Sequence, residues 1–298
     1  MALPSPYAGS SVALATRHGK ERVIGRALRH GLGAELLHLP EIDTDQLGSF
    51  CGAVPRQGTA LEACLAKARL ALSRGGTGLA IASEGSFGPH PAVPLLPVGI
   101  EWMVFLDPER ELTISEQLLA RRTNFASRTL SAADLNRPAD NGAEGNASLE
   151  LWLRGVGFPS HALIVRPHGA QEEAVRKGIH RQQELLAAIA EAAARSPQGA
   201  VQLETDMRAH CNPTRMASIR QLSFRLMRRI AAACPRCRSP GWGLVDTLPG
   251  LPCGWCGQPT ALVGEEVHGC PRCGHREARP RRDGLRQADP GQCLHCNP

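Results

Sequence analysis

Apolar positions in the first half of the chain alternate between strand-like and helix-like spacing. "SVALAT" (Ser11–Thr16) predicts a short buried strand, and "ERVIGRALRHGLG" after the turn "RHGK" predicts a helix that ends at Gly33. "AELLHLPEID" predicts a second strand and "GLAIA" a third. The stretch "IASEGSFGPHP" (Ile81–Pro91) is rich in small and turn-forming residues, so we expect a loop there.

A helix is predicted between the second and third strands. Thr59 and Glu62 are spaced as a capping box, and Gly75 and Gly76 end the pattern. Its buried face is predicted from the apolar positions Leu61, Leu65, Ala68 and Leu72. Lys67 and Arg69 lie outside this predicted face.

The middle of the chain predicts a hairpin, a polar segment and a second run of alternating elements. "IEWMVFLD" and "ELTISE" read as antiparallel strands joined by "PER". Residues 131–149 are polar and turn-rich, which predicts a long surface loop or lid. "HALIVRP" and "GAVQLET" predict strands on either side of an Ala-rich helix over Glu172–Arg195.

A last helix is expected from Asn212, which is placed as N-cap with Pro213 in the first turn. Its predicted apolar face is Met216, Ile219, Leu222, Leu226 and Ile230. Five arginines are expected mostly on the opposite, solvated face: Arg215, Arg220, Arg225, Arg228 and Arg229. Strands alternating with helices predict an α/β fold, a mixed sheet flanked by helices, over residues 8–232.

Eight of the eleven cysteines form four C-x-x-C pairs in residues 233–298. The pairs are Cys234/Cys237, Cys253/Cys256, Cys270/Cys273 and Cys293/Cys296. Two such knuckles supply the four thiolates of a structural zinc site, so we predict a small zinc-ribbon module with two Zn²⁺ ions. Sequential and nested pairing of the knuckles both stay open. The ribbon-like segment between Cys253 and Cys273 favours nested pairing.

Charge and composition add limits to this picture. The formal charge of the 298-residue chain is +6, and eight thiolates with two zinc ions change it by −4, to about +2. Nucleic acid is therefore a partner that we do not favour. The N-terminus has no basic region with a long apolar core, and no apolar run reaches the ~18 residues of a membrane span. We expect a cytoplasmic protein without a membrane partner, and the sequence leaves its oligomeric state open.

Four clusters fall at predicted strand ends or loop junctions, where α/β sheets place their sites. "ATRHGKE" precedes a helix N-terminus and suits a phosphate, with Thr16, His18 and Lys20 as its ligands. "EIDTD" offers Asp43 and Asp45 to a cation such as magnesium.

The other two clusters lie further along the chain. Lys67 and Arg69 add positive charge, although a solvated helix face explains them as well. Glu84 and His90 on the expected loop suit a metal ligand, a base or an acid. Arg208 and His210, just before the last helix, could complete a phosphate site from the other side.

Two resemblances accompany these motifs. "ATRHGKE", "DTDQLGSF", "ASEGSFGPHP", "TDMRAHCNPTRM" and "CLHCNP" resemble a bacterial family known as an uncharacterised domain with a C-terminal zinc-ribbon region. Three motifs also follow one another in the first half: Ala15-Thr16 with Lys20, then Lys67-Ala68, then Glu84-Gly85. In the order of these motifs, the first half is similar to the inosine/xanthosine triphosphate pyrophosphatases. That resemblance implies Lys20 and Lys67 on phosphates, and Glu84 with Asp43 or Asp45 around Mg²⁺ or Mn²⁺.

These observations lead to one functional hypothesis and two alternatives. The hypothesis is a metal-dependent phosphohydrolase that acts on a nucleotide-like phosphorylated small molecule, with a nucleoside-triphosphate pyrophosphatase-like activity. One alternative is a nucleic-acid-binding protein that uses the zinc module and the Arg-rich last helix. The other is a scaffold that recruits a protein partner through the zinc module.

Overall fold

The computed structural model describes residues 5–47, 58–90, 93–120, 122–135, 143–169 and 175–298. It confirms a mixed α/β fold followed by a small cysteine-rich module. The helices are α1 (Glu21–Leu32), α2 (Ala60–Gly75), α3 (Ala132–Leu135), α4 (Ala143–Gly155), α5 (Gln182–Arg195) and α6 (Pro213–Ala231). Among the described residues, no helix combines the length and the apolar character needed to cross a membrane.

The first sheet has five strands in the order β2-β1-β3-β4-β5. They are β1 (Ser11–Leu14), β2 (Glu35–His38), β3 (Ala80–His90), β4 (Val93–Asp107) and β5 (Leu112–Ala120). β1 pairs in parallel with β2 and β3, whereas β4 and β5 add antiparallel strands, so the sheet is mixed as expected.

Helices cover both faces of this sheet. α1 and α6 pack on one face, where Ile24 and Ile219 meet Ile81 and Phe105 of the strands. α2 packs on the other face through small residues, with Cys64 and Ala68 buried against the sheet. The larger predicted positions Leu61, Leu65 and Leu72 are only partly buried, because the small residues allow the helix backbone to approach the strands closely.

The expected loop at Ile81–Pro91 is wrong for its described part, because β3 continues to His90. β1 pairs with β3 only at Ala80, whereas β4 pairs with β3 along its whole length. Past Ala80, one edge of β3 therefore has no neighbouring strand among the described residues, and such an edge tolerates the glycines and Pro89. Glu84 lies in the middle of a strand. The side chain of His90 and all of Pro91 lie outside the described residues.

A second sheet follows, with four antiparallel strands in the order β6-β9-β7-β8. They are β6 (Ser127–Leu130), β7 (Leu163–Pro167), β8 (Arg176–Ile179) and β9 (Val201–Thr205). The helix predicted over Glu172–Arg195 begins only at Gln182, since residues 176–179 pair with β7 instead. The predicted loop at 131–149 is helical where it is described before and after residues 136–142.

The cysteine-rich module contains a three-stranded antiparallel meander. Its strands are β10 (Gly243–Pro249), β11 (Val263–Gly269) and β12 (Arg276–Pro280). One strand lies in each interval between successive cysteine knuckles. The module packs on the first sheet, where a Cβ at Gly241 would lie 2.8 Å from Cδ1 of Ile114.

Candidate active site and cysteine tetrads

The eight knuckle cysteines form two tetrads, and within each the four sulfur atoms lie within 4.8 Å of one another. One tetrad is Cys234, Cys237, Cys270 and Cys273, and the other is Cys253, Cys256, Cys293 and Cys296. The first knuckle thus pairs with the third and the second with the fourth. Both pairings considered from the sequence, sequential and nested, are wrong.

The meander explains the interleaved pairing. Gly243 at the start of β10 lies opposite Gly269 at the end of β11, and Gly269 lies opposite Arg276 at the start of β12. The first and third knuckles are therefore at one end of the sheet. The second knuckle follows β10 and the fourth follows β12, so these two are displaced to the other end. Antiparallel strands between knuckles require this alternation.

The sulfur geometry suits zinc. Sγ–Sγ distances are 3.8 Å for Cys234–Cys273 and 3.6 Å for Cys237–Cys270. They are 3.8 Å for Cys253–Cys296 and 3.6 Å for Cys256–Cys293 in the other tetrad. Four sulfurs placed tetrahedrally at the usual Zn–S bond length stand about 3.8 Å apart. The two cysteine tetrads are compatible with structural zinc sites.

The four knuckles share one backbone turn. In each, the N–H four residues after the first cysteine donates to that cysteine's carbonyl oxygen, from Arg238, Gly257, Gly274 and Asn297 at 2.8–3.2 Å. The first three of these donors have a positive φ, between 63° and 70°. Glycine adopts that conformation without strain, and Arg238 adopts it because the turn requires it.

A buried ion pair lies on the α2 face of the first sheet. Lys67 Nζ of α2 stands 2.6 Å from Oε2 of Glu84 on β3, and both side chains are buried. The neighbouring Cys64 thiol is buried as well, and its pKa is raised to about 12, chiefly by desolvation and further by the charge of Glu84. The predicted residues Lys67 and Glu84 are thus brought together, in direct contact with each other.

A second buried ion pair lies on the opposite face. Arg215, at the N-terminus of α6, places Nε 2.7 Å from Oε1 of Glu101 on β4 and also donates to the Met207 carbonyl. The guanidinium lies over Gly85, where a Cβ would be only 2.6 Å from its Nη2. The same guanidinium lies over the Phe87 ring, with 5.1 Å from Cζ to the ring centroid.

Lys20 lies at the edge of β3 between these two pairs. It precedes α1, and its buried Nζ donates to the Ser83 carbonyl at 3.0 Å, on the edge that β1 leaves open. Burial, together with the charges of Arg215 and Lys67, lowers the pKa of Lys20 to about 8, against the opposing effect of Glu84 and Glu101. The Ser83 hydroxyl is buried and has no hydrogen-bond partner among the described residues.

The side chains that surround Lys20 on the solvent side are mostly basic. The His18 and His210 rings stack with 5.3 Å between centroids. Burial, together with the charges of Lys20, His210, Arg215 and Arg208, lowers the pKa of His18 to about 3. His210 also has a lowered pKa, first because of desolvation and then because of Arg208. Both imidazoles are therefore neutral at pH 7 in a region of positive potential.

Arg208 is held beside these rings by Asp206. Its Nε stands 3.0 Å from Oδ1 of the buried Asp206 carboxylate, and the Gly178 N–H donates to Oδ2 of the same group. Burial raises the pKa of Asp206, but the hydrogen bonds and charge of Arg208 outweigh it, so the net shift is downward. The carboxylate fixes the guanidinium at the rim of the cluster.

Of the other residues predicted for the site, some lie beside this cluster and others lie at a distance from it. Thr16 is buried, and its Oγ1 accepts from the His18 N–H. Asp45 stands 3.7 Å from His18, whereas Asp43 pairs with Arg17 at 3.4 Å on the exposed side. Arg69 is exposed on α2. In the part of the chain that the structure describes, the two cysteine tetrads are the only groups of three or more His, Cys, Asp or Glu residues arranged for a metal ion.

Sequence reasoning missed Glu101, Ser83 and the burial of Arg215, although two signals were present. Glu101 shares its strand face with Met103 and Phe105, which are fully buried. Arg215 precedes Ile219 by four residues and therefore falls on the apolar stripe of α6. A charged residue on a buried face needs a partner of opposite charge, and Glu101 and Arg215 are each other's partner.

The family described as "Domain of unknown function (DUF6671)" matches residues 67–298, so the chain belongs to that family. The match includes Lys67, Glu84 and both cysteine tetrads, whereas Lys20 precedes it. Searches of curated proteins and of solved structures found no match to the chain. The resemblance to inosine/xanthosine triphosphate pyrophosphatases stays a prediction.

Proposed function

We propose that the protein is a phosphohydrolase that binds a phosphate group of a nucleotide-like small molecule beside Lys20. The supporting observation is the buried ammonium of Lys20, the residue directly before the 12-residue helix α1. The N-terminal N–H groups of a helix and its dipole favour an anion there. The Ser83 hydroxyl, which has no hydrogen-bond partner in the described part of the chain, is a further donor on the same face of the sheet.

The rim residues have complementary roles in this proposal. His18, His210 and Arg208 surround the approach to Lys20. The His18 pKa is lowered first by burial and then by the neighbouring positive charges, which an anionic substrate would meet. Lys67 and Glu84 support the site from the opposite face of β3, so Glu84 acts as a positioning residue for Lys67 and the strand. Thr16 shapes the turn that carries His18.

In this proposal, the metal ion binds together with the phosphate groups of the substrate. Mg²⁺ and Mn²⁺ are held by phosphate oxygens and only one or two carboxylates in many nucleotide-dependent enzymes. Asp45, beside His18, and Asp43, two residues earlier, are the carboxylates nearest to the phosphate site along the β2 loop. A metal bound there would polarise the phosphate for attack by water.

We further propose that each cysteine tetrad holds one Zn²⁺ ion with a structural role. Four thiolates close the coordination shell, and besides the knuckle cysteines the module buries few apolar residues, among them Trp242, Leu251, Val267 and Ala288. Thiolate ligands persist in a reducing compartment, which suits a cytoplasmic protein.

Phosphate release by the zinc-loaded full chain tests the proposed activity. Nucleoside mono-, di- and triphosphates and sugar phosphates are incubated with Mg²⁺ or Mn²⁺, and phosphate and pyrophosphate are measured. Lys20→Gln should lower kcat/KM at least ~100-fold, because a buried charge on the transferred phosphate is lost. Arg22→Gln, exposed on α1, is the matched control and should stay near wild type. Absence of turnover by the wild type, or equal rates for both variants, would contradict the proposal.

A further inference from the structure

The outer edge of β5 has no neighbouring strand in the described part of the chain, because β5 is the last strand of the first sheet. The strand register determines which backbone groups lie on that edge. The Ser83 carbonyl points away from β4, since it accepts from Lys20 on the open edge of β3. These directions alternate along a strand, and the two ladders carry the alternation through β4 to β5. Four residues of β5 therefore direct their N–H and C=O groups outward: Thr113, Ser115, Gln117 and Leu119.

This edge lacks the features by which proteins usually block an exposed strand edge. β5 has nine residues, its ladder with β4 has no register shift, and its outward residues include no charge and no proline. Only the Ser115 carbonyl among these backbone groups has a described partner, Arg229 Nη1 at 2.8 Å. The terminal strands of the other described edges differ, because β2, β6 and β8 have four residues each, β10 has two register shifts, and β12 carries charged side chains and Pro280. Of these terminal strands, β5 is the one best suited to pair with a further strand.

A groove of about 560 Å³ lies beside this edge. Its lining includes Ser115, Gln117 and Leu119 of β5 together with residues 244–247 of β10, which is itself a terminal strand of the meander. The volume is within the range of roughly 300–1,000 Å³ that is typical of ligand sites. Because β10 already borders the space beside β5, the groove suits one extended segment better than the edge of a whole second sheet.

The α6 side of the groove carries an excess of positive charge. The buried Glu116 carboxylate accepts from Arg225 Nε at 2.5 Å and from Arg229 Nη1 at 3.0 Å. Two guanidinium groups thus face one carboxylate, and the Arg225 side chain is 35% exposed. The other acid of the groove, Asp246, is paired with Arg276 at 3.7 Å. A carboxylate of a bound segment would therefore find a complementary charge at Arg225.

The α2 side of β5 is uncharged where it borders the groove. Trp102 packs against the core under α2 and lies opposite Gln117 in the ladder. Leu119, two residues further on the same side of the strand, is 37% exposed. Successive side chains of an extended segment point to opposite sides. The groove therefore suits a segment in which acidic and apolar residues alternate.

We propose that the groove between β5 and β10 binds an extended segment of a partner protein, which adds to β5 as a further strand. Acidic side chains of the segment lie at Arg225, and its apolar side chains lie beside Trp102 and Leu119. Main-chain hydrogen bonds to β5 provide the affinity, and the alternating side chains provide the sequence preference. The groove is two strands away from the open edge of β3, and this binding does not depend on the proposed activity.

Titration of the zinc-loaded full chain into labelled heptapeptides with blocked ends tests the proposal. The probe alternates valine and glutamate, and fluorescence anisotropy measures its Kd. We expect saturable binding. A version that is N-methylated along its backbone should bind at least ~10-fold more weakly, because the ladder hydrogen bonds are lost. A peptide that alternates valine and lysine should also bind at least ~10-fold more weakly, because its charge is opposed by Arg225.

Two pairs of variants locate the binding. Gln117→Pro removes an outward N–H and should raise the Kd of the valine/glutamate peptide at least ~10-fold, whereas the matched control Gln117→Thr keeps that N–H and should stay within about threefold. Arg225→Gln should weaken this peptide at least ~3-fold and leave a valine/glutamine peptide unchanged. Its control is Arg228→Gln, exposed on α6 outside the groove lining. Thermal unfolding and zinc content verify that each variant is folded.

Several results would overturn the proposal. The first is a wild-type chain that shows no saturable binding of the valine/glutamate peptide. Equal Kd values for Gln117→Pro and Gln117→Thr, or equal affinities for the glutamate and lysine peptides, would contradict it as well. Concentration-dependent dimerisation in sedimentation that Gln117→Pro abolishes and Gln117→Thr preserves would assign the edge to a second copy of the chain. Should Gln117→Pro fail to fold, the N-methylated peptide and Arg225→Gln decide the question.

Discussion

Lys67 and Glu84 illustrate what a buried ion pair does at the scale of single residues. The two side chains meet at 2.6 Å in a nearly dry environment between α2 and β3. Removing one partner leaves the other charge buried without compensation, and this costs far more than the pair contributes when it is intact. The pair therefore fixes the position of α2 on β3 more than it adds stability.

A double-mutant cycle tests this interpretation. Lys67→Met and Glu84→Gln should each lower the free energy of unfolding by about 3–5 kcal/mol. The double variant should be less destabilised than the sum of the two, because no unpaired charge is left. Urea titration at fixed zinc concentration measures all three, with Arg69→Met on the exposed side of α2 as control. Strict additivity would show that the two charges do not interact.

The sequence contains part of this residue-scale information. Lys20, Lys67 and Glu84 were identified from short motifs, and the structure places them around β3. The sequence predicts Arg215 on a solvated face, because arginine is rarely buried. Its spacing from Ile219 signals burial, but no single segment identifies Glu101, 114 positions away, as its partner. Long-range pairing of this kind is a property of the fold and is absent from any single segment.

At the scale of elements, the sequence was sufficient to predict the start of a helix where a local capping residue sets it. The capping box of Thr59 and Glu62 and the Asn212 cap of α6 both form as predicted. The sequence was insufficient for β3, whose Gly85 and Pro89 favour a turn in isolation. Pairing with β4 overrides that preference, and only the tertiary structure supplies the partner.

The interleaved tetrads make a prediction at the same scale. Cys237→Ser with Cys270→Ser removes two ligands from one tetrad, so the protein should lose one zinc ion and keep the other. Sequential or nested pairing would place these two cysteines in different sites and cost both ions. Zinc per chain is measured by elemental analysis after gel filtration.

A matched variant completes that measurement. Cys237→Ser with Cys256→Ser removes one ligand from each tetrad and should cost both ions. If the first double variant retained no zinc, or the second retained one, the interleaved assignment would be wrong. One strand lies in each interval between knuckles. That arrangement would have allowed the interleaved pairing to be derived from the sequence, had those strands been recognised there.

At the scale of the whole molecule, the cysteine module is joined to the first sheet at Gly241. Its φ is +98°, and a Cβ there would lie 2.8 Å from Ile114 and 2.9 Å from Pro271. Gly241→Ala should therefore lower the free energy of unfolding by about 1–3 kcal/mol more than Gly274→Ala. Gly274 has a positive φ too, but open space around it. Equal effects in urea titrations would show that the contact is dispensable.

The proposed phosphate site also draws on the whole molecule. Lys20 comes from the β1–α1 junction, Ser83 from β3, Arg215 from α6, and Arg208 from the segment after the second sheet. No single motif predicts that these side chains meet. Short motifs indicated the chemistry of Lys20 and Arg208 but not that of Ser83 or Arg215, and the topology of the two sheets sets their placement relative to one another.

Binding of inorganic phosphate as a function of pH tests the central claim most directly. The Lys20 ammonium carries its charge below its pKa of about 8 and loses it above. Phosphate affinity, measured by calorimetry, should therefore fall roughly tenfold or more from about pH 7 to about pH 9.5. In Lys20→Met the affinity should be weak and nearly constant over that range. Wild-type binding that is absent, or that shows the same pH profile as Lys20→Met, would contradict a phosphate site at Lys20.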